Sequence, residues 1–142
     1  MKRLIIMAVV CLGVAAVVAG CCRCRFKSRT TRPLEGSSWS LVQLMGQSVT
    51  PEKGQFTLTF SNEGRLNGRG SCNTINGNYS IPERGKLEFG PLASTRMMCP
   101  DIQRESKFFA VVNGTTSYEI DGDTLLLFHD GELQAVFEYR NE

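Results

Sequence analysis

The feature that most restricts this chain is the shortness of its apolar stretches and the regularity with which turn residues cut them. QFTLTF (Gln55 to Phe60) sets the type: Phe56, Leu58 and Phe60 point one way, Thr57 and Thr59 the other. A period of two belongs to a strand with one face on a core. SSWSLVQL (Ser37 to Leu44) places Trp39, Leu41 and Gln43 on one side in the same manner, and RLNGRG, NGNYSI, KLEFGPL, TSYEID, DTLLLFHD and ELQAVFEY follow. SNEG, PERG, Asp121-Gly122 and Asp130-Gly131 separate the segments, and Asn76-Gly77 reads as a turn leading into the next strand. Asx-Gly pairs supply the φ > 0 backbone that tight hairpins require, so the strands pair antiparallel.

One segment breaks the pattern. In CPDIQRESKFFAVVNG, Ile102, Phe109 and Val112 recur near helical spacing with Phe108 beside them, after Pro100 and before Asn113-Gly114. These are start and stop signals of a helix over about 101–112. Such a helix would plug the open side or end of a strongly bent antiparallel sheet. The expected fold class is α+β, with about seven to eight short strands and one helix.

Ahead of this domain the chain opens MKRLIIMAVVCLGVAAVVAGCC, two cations before an unbroken apolar run from Leu4 to Val18. As a helix that run would reach only ~22 Å, short of the ~30 Å hydrocarbon core, which favours a signal-peptide segment over a spanning one. Val18-Ala19-Gly20-Cys21 resembles a bacterial lipobox, which implies cleavage after Gly20 and lipidation of Cys21. Several acyl chains on one residue meet the requirement for stable anchoring. The expected organisation is a lipoprotein signal peptide at 1–20, a lipidated basic tether at 21–32 and one domain at 33–142. The tether holds Arg23, Arg25, Lys27, Arg29 and Arg32 and no acid, whereas the domain from Pro33 onward carries nine basic and fourteen acidic side chains, a balance of −5. A basic run beside an anchor suits anionic headgroups, and an exported, acidic domain disfavours nucleic acid. Cys22 stands where an aspartate would signal inner-membrane retention. By resemblance to lipoprotein sorting patterns, the location is the periplasmic face of the outer membrane, or the plasma-membrane exterior in a cell lacking one.

Four cysteines remain: Cys22, Cys24, Cys72 and Cys99. In an oxidising compartment the two within the domain are most simply a disulfide. Two buried reduced thiols, or a catalytic or metal-binding role, are the alternatives. A nucleophilic Cys72 would need His129, the single histidine, as its base. No metal, cofactor or catalytic set is expected: Glu83, Glu88, Asp121, Asp123 and Asp130 fall at turns or on outer strand faces.

LEGSSWSL (Leu34 to Leu41), LTF, GRGSCNTINGNY (Gly68 to Tyr79), LASTRMMCP (Leu92 to Pro100), Glu105 followed by Phe108, and YEIDGDTLLL together resemble the META/HslJ family of small bacterial envelope proteins. The resemblance covers residues 33–142 and implies a curved antiparallel sheet or partial β-barrel with one helix, and a non-enzymatic role. The family is associated with heat-inducible envelope proteins, tolerance of novobiocin and secretion-related homologues. Asn73, Thr95 and Arg96 match motif positions, where they would hold the cysteine loops together or meet a ligand. Arg96, with its bidentate guanidinium, is the candidate for an anion. Ser71 replaces a glycine common before the first cysteine, and Met98 stands where a small residue is common beside the second. The expected function is a lipid-anchored envelope protein that binds a partner protein or small apolar ligand in the cleft of its bent sheet, in envelope stress or integrity. A protease-inhibitor or secretion-pilot module, and a thiol enzyme using Cys72 and His129, are the rivals.

Overall fold

The structure, a computed structural model, describes residues 31–141. The signal peptide, Cys21, Cys22, Cys24 and all but the last two residues of the tether lie outside the described residues.

The elements in chain order are β1 (Ser37–Leu44), β2 (Gln47–Ser48), β3 (Thr57–Phe60), β4 (Arg65–Arg69), β5 (Thr74–Ser80), β6 (Glu88–Phe89), β7 (Ala93–Ser94), α1 (Ile102–Gly114), β8 (Ser117–Asp121), β9 (Thr124–His129) and β10 (Glu132–Tyr139). The sheet runs β6-β5-β4-β3-β1-β10-β9-β8, with β2 on β1 and β7 beside β6 on the outer side of β5. Every pairing is antiparallel. Its two ends meet: Lys86 bridges Ser117, the Tyr118 N–H donates to the Gly85 carbonyl at 2.9 Å, and the Leu87 N–H to the Thr116 carbonyl at 3.2 Å. The result is a nearly closed eight-stranded barrel with one helix among the described residues, the expected α+β partial barrel.

Alternation fills the interior. Trp39, Leu41, Leu58, Phe60, Leu66, Leu125, Leu127 and Phe137 are fully buried, each contributing about 1.5–3 kcal/mol by leaving water. Helix α1 lies across one end of the barrel. Its Phe108 meets Phe56 edge-on at 5.5 Å and Phe137 at 6.2 Å, and its last residue, Gly114, receives the His129 ring at the β9–β10 turn. The concave face of the sheet is lined by these side chains, and the helix packs onto it through Phe108.

Several local expectations are corrected. The β1–β10 register shifts between Leu41 and Gln43, so a bulge carries Leu44 inward in place of Gln43. Phe56 is buried as expected but precedes β3 in a left-handed conformation, φ 48°. That costs a non-glycine residue about 1–3 kcal/mol and is offset by burial against Phe108. Asn76-Gly77 lies within β5 and makes no turn. A Cβ on Gly77 would stand 2.4 Å from Leu92 Cδ2 and 3.0 Å from the Pro91 carbonyl, so this glycine serves a close approach of the neighbouring segment. Of KLEFGPL only Glu88–Phe89 is strand. The helix runs through Gly114, and extended Thr115 ends it, donating its hydroxyl to the Val111 carbonyl at 2.8 Å.

At the start of the described chain, Arg32 is clamped. Its Nε donates to Asp123 Oδ1 at 2.8 Å, its guanidinium lies 4.4 Å over the Tyr139 ring, and its N–H reaches the Gly122 carbonyl at 3.3 Å. The tether thus joins the barrel where β1 begins and β10 ends.

Candidate functional site: a buried carboxylate between two cysteine loops

At the opposite ends of these strands, two loops meet under α1. The first, Gly70 to Asn73, connects β4 to β5. The second follows β7 and carries Thr95 to Pro100. The opening turn of α1 drives Glu105 between them, 1% exposed. Its Oε2 accepts from the Ser71 hydroxyl at 3.0 Å and from the Cys72 and Asn73 N–H groups at 2.9 Å each. Its Oε1 accepts from Asn73 Nδ2 at 2.5 Å.

Asn73 passes the connection on. Its Oδ1 accepts from the Thr95 hydroxyl at 2.8 Å and the Met97 N–H at 2.7 Å, while Nδ2 also reaches the Met97 carbonyl at 3.0 Å. Thr95 Oγ1 in turn accepts the Thr74 N–H at 3.0 Å. The Cys72–Cys99 disulfide, with Cα atoms 6.3 Å apart, closes the arrangement covalently.

Burial, the largest single influence on Glu105, pushes its carboxyl up. The bonds from the Asn73 side chain, from the N–H groups of Asn73 and Cys72 and from the Ser71 hydroxyl outweigh it and hold the carboxyl below its usual range. The group is a carboxylate with its acceptor sites taken, which suits it to holding loops. Gly70 is the glycine this demands: a Cβ there would lie 2.5 Å from Glu105 Cγ and Oε2.

Asn73, Thr95 and Glu105 are thus brought together with the cysteine pair, as loop-holding residues. Arg96 is not part of the cluster; it is exposed and makes no hydrogen bond or ion pair with the described residues. Cys72, Cys99 and Glu105 place ligand-type atoms within 4.8 Å of one another, but the two sulfurs are bonded to each other. His129 is not brought to Cys72. Its Nδ1 bonds the Gly114 carbonyl at 2.5 Å and its Nε2 lies 3.7 Å from Asp130, about nine residues or ~13 Å along α1 from Glu105. Ser71 has no positive φ, so the replaced glycine leaves no strain, and its hydroxyl gains a bond to Glu105.

Two features were not anticipated. One is the depth of Glu105, although its spacing to Phe108, Phe109 and Val112 puts an acid on the apolar stripe of the helix, which is the readable signal. The other is the exposure of Met97 and Met98, 54% and 92%. They do not narrow a pocket; with Arg96, Ile102, Ser106 and Phe109 they rim a shallow groove of about 340 Å³.

A family model described as META domain matches residues 32–141. Among solved structures, the chain is similar to a protein from Burkholderia xenovorans determined by NMR, with 27% identity, a TM-score of 0.60, and coverage of 77% of this chain and 85% of that one. It shares its fold with a DUF4847 family protein from Bacteroides vulgatus, at 17% identity and a TM-score of 0.59, covering 75% of this chain and 94% of that one. A search of curated proteins finds no match.

Proposed function

The chain belongs to the META domain family, and we propose that it is a lipid-anchored cell-envelope protein whose domain acts without catalysing a reaction, as a rigid platform for a partner protein. The observation that carries this reading is Met98. It is 92% exposed, on a loop that a disulfide, Asn73 and Thr95 hold in place. A large apolar side chain displayed in water contributes nothing to the core, and apolar anchors on a pre-organised loop are what protein interfaces use. The side chains that fill the barrel interior support a reading in which recognition is on the outside, by a partner protein more than by a small apolar ligand.

The anchor reading adds geometry. Lipidation at Cys21 would leave eleven residue steps to the Arg32 clamp, at most about 36–40 Å of extended chain. The Thr95–Met98 loop lies at the other ends of the strands from the point where that tether attaches. The proposed site is the periplasmic face of the outer membrane, or the plasma-membrane exterior in a cell without one.

Two experiments test the two parts. A photo-crosslinking residue at Met98, in cells, should yield one discrete adduct of constant stoichiometry, and the same residue at exposed Glu63, on the Ser61–Gly64 turn at the tethered end, should not. Equal labelling at both positions, or none at Met98, removes the platform. Cys21→Ser should leave an unprocessed precursor and abolish acyl labelling; unchanged mass and membrane fractionation would refute the anchor.

A further inference from the structure

The groove beside Met98 carries more than apolar exposure. Its apolar lining is Met97, Met98, Ile102 and Phe109, and its exposed polar members are Ser94, Thr95, Arg96 and Ser106. Of the charges there, Glu105 is spent on its four donors, and nearby Asp101 is paired with Arg104 at 2.7 Å. Arg96 has no hydrogen-bond or ion-pair partner among the described residues and is a cation on a domain whose formal balance from Pro33 onward is −5. A guanidinium in this position recognises a carboxylate bidentately.

The backbone adds direction. The Thr95 N–H turns inward to the Thr74 carbonyl at 3.1 Å, and the Met97 N–H to Asn73 Oδ1 at 2.7 Å. The N–H groups of Arg96 and Met98 have no backbone partner among the described residues. The segment continues β7, a two-residue strand on the outer side of the sheet, and an open edge of this kind accepts an added strand.

Resting on the partner-binding reading above, we infer that the groove between residues 95–98 and α1 binds an extended peptide segment of the partner that carries one acidic side chain next to an unbranched or aromatic apolar one. The acid meets Arg96 and the apolar side chain enters between Met98, Ile102 and Phe109. The surrounding negative balance selects a single acid over an acidic run, because further carboxylates meet only repulsion. A volume of about 340 Å³ is at the small end of ligand sites, which matches a few side chains.

The test is selection of phage-displayed random nine-residue peptides on the full-length protein in detergent micelles. Enriched peptides should place Asp or Glu beside Leu, Met or Phe. The best one, synthesised with a fluorophore, should bind about ten- to a hundred-fold more weakly to Arg96→Gln, less so to Arg96→Lys, and equally weakly when its own acid is replaced by the amide. Arg96 is exposed and makes no hydrogen bond or ion pair among the described residues, so these variants should keep their thermal midpoint. Enriched peptides without an acid, binding indifferent to Arg96→Gln, or no enrichment at all would overturn the inference. If selection fails while the Met98 crosslink persists, the peptide chemistry is wrong and the platform stands; loss of both removes both.

Discussion

Glu105→Ala is expected to lower the unfolding free energy by about 3–5 kcal/mol, read from urea denaturation of the oxidised protein. Three donors to Oε2 and one to Oε1 lose their acceptor at once, and each buried donor left unmet costs about 1–3 kcal/mol. Partial access of water to the vacated space keeps the total below their sum. Against a typical 5–15 kcal/mol, such a loss leaves the domain marginal. A change under 1 kcal/mol would mean that water replaces the carboxylate freely and that the cluster holds nothing.

Glu105→Gln is the more discriminating variant. Its oxygen can keep the three donors at the Oε2 position, but its amide nitrogen then faces Asn73 Nδ2, donor against donor. Flipping Asn73 relieves that contact but sets its Nδ2 against the Met97 N–H and its Oδ1 against the Met97 carbonyl. A loss of about 2 kcal/mol is expected from a substitution that changes almost no volume. Gly70→Ala probes the same packing, since its Cβ would lie 2.5 Å from Glu105 Cγ. Its penalty should shrink in the Glu105→Ala background, where the clashing atoms are gone, and strict additivity would contradict the contact.

The sign of the pH dependence follows from the depressed carboxyl. Because the folded value lies below the unfolded one, the contribution of Glu105 is fully present above about pH 4.3, where an unfolded glutamate titrates. It is lost as pH falls through the lower native value. Wild type should therefore lose stability in that acid window more steeply than Glu105→Gln.

The period-two segments were legible because strand alternation is a local property, and all eight appear in the sheet, KLEFGPL in shortened form. What escaped is non-local. Gln43 alternates correctly in isolation, but pairing with β10 inserts a bulge, which no single strand announces. Asn76-Gly77 carries the composition of a turn and the backbone of a strand, because Leu92 crosses where a side chain would be. Gly114 looks like a helix stop, yet Thr115 supplies one through its own hydroxyl. At the site, the pairing of the cysteine motifs could be read from export and domain membership. The role of Glu105 could not be read from charge alone, since acids on helices are ordinarily solvated; its place on the Phe108–Val112 stripe was the only local clue.

Removal of the disulfide should be the second large effect. Cys72→Ser with Cys99→Ser frees a closed loop with a sequence separation of 27, which the chain-entropy account values at about 3.5 kcal/mol. For a domain of this size that corresponds to a fall of roughly 10–20 °C in thermal midpoint. The native protein, denatured without reductant, should show no titratable thiol at Cys72 or Cys99, and two titratable thiols there would contradict the bond. The Glu105 cluster decides whether the loss is the full entropic amount. Cys72 donates its N–H to Glu105, and Asn73 beside it holds Met97, so the two loops stay joined by hydrogen bonds when the sulfurs part. The double serine variant should accordingly remain folded, with Met98 still displayed and its crosslink retained. Adding Glu105→Ala should then cost more than in the oxidised protein, since each tie is the other's substitute in holding the loops. A double serine variant whose crosslink at Met98 vanishes while its fold persists would instead assign the display of that loop to the covalent bond alone.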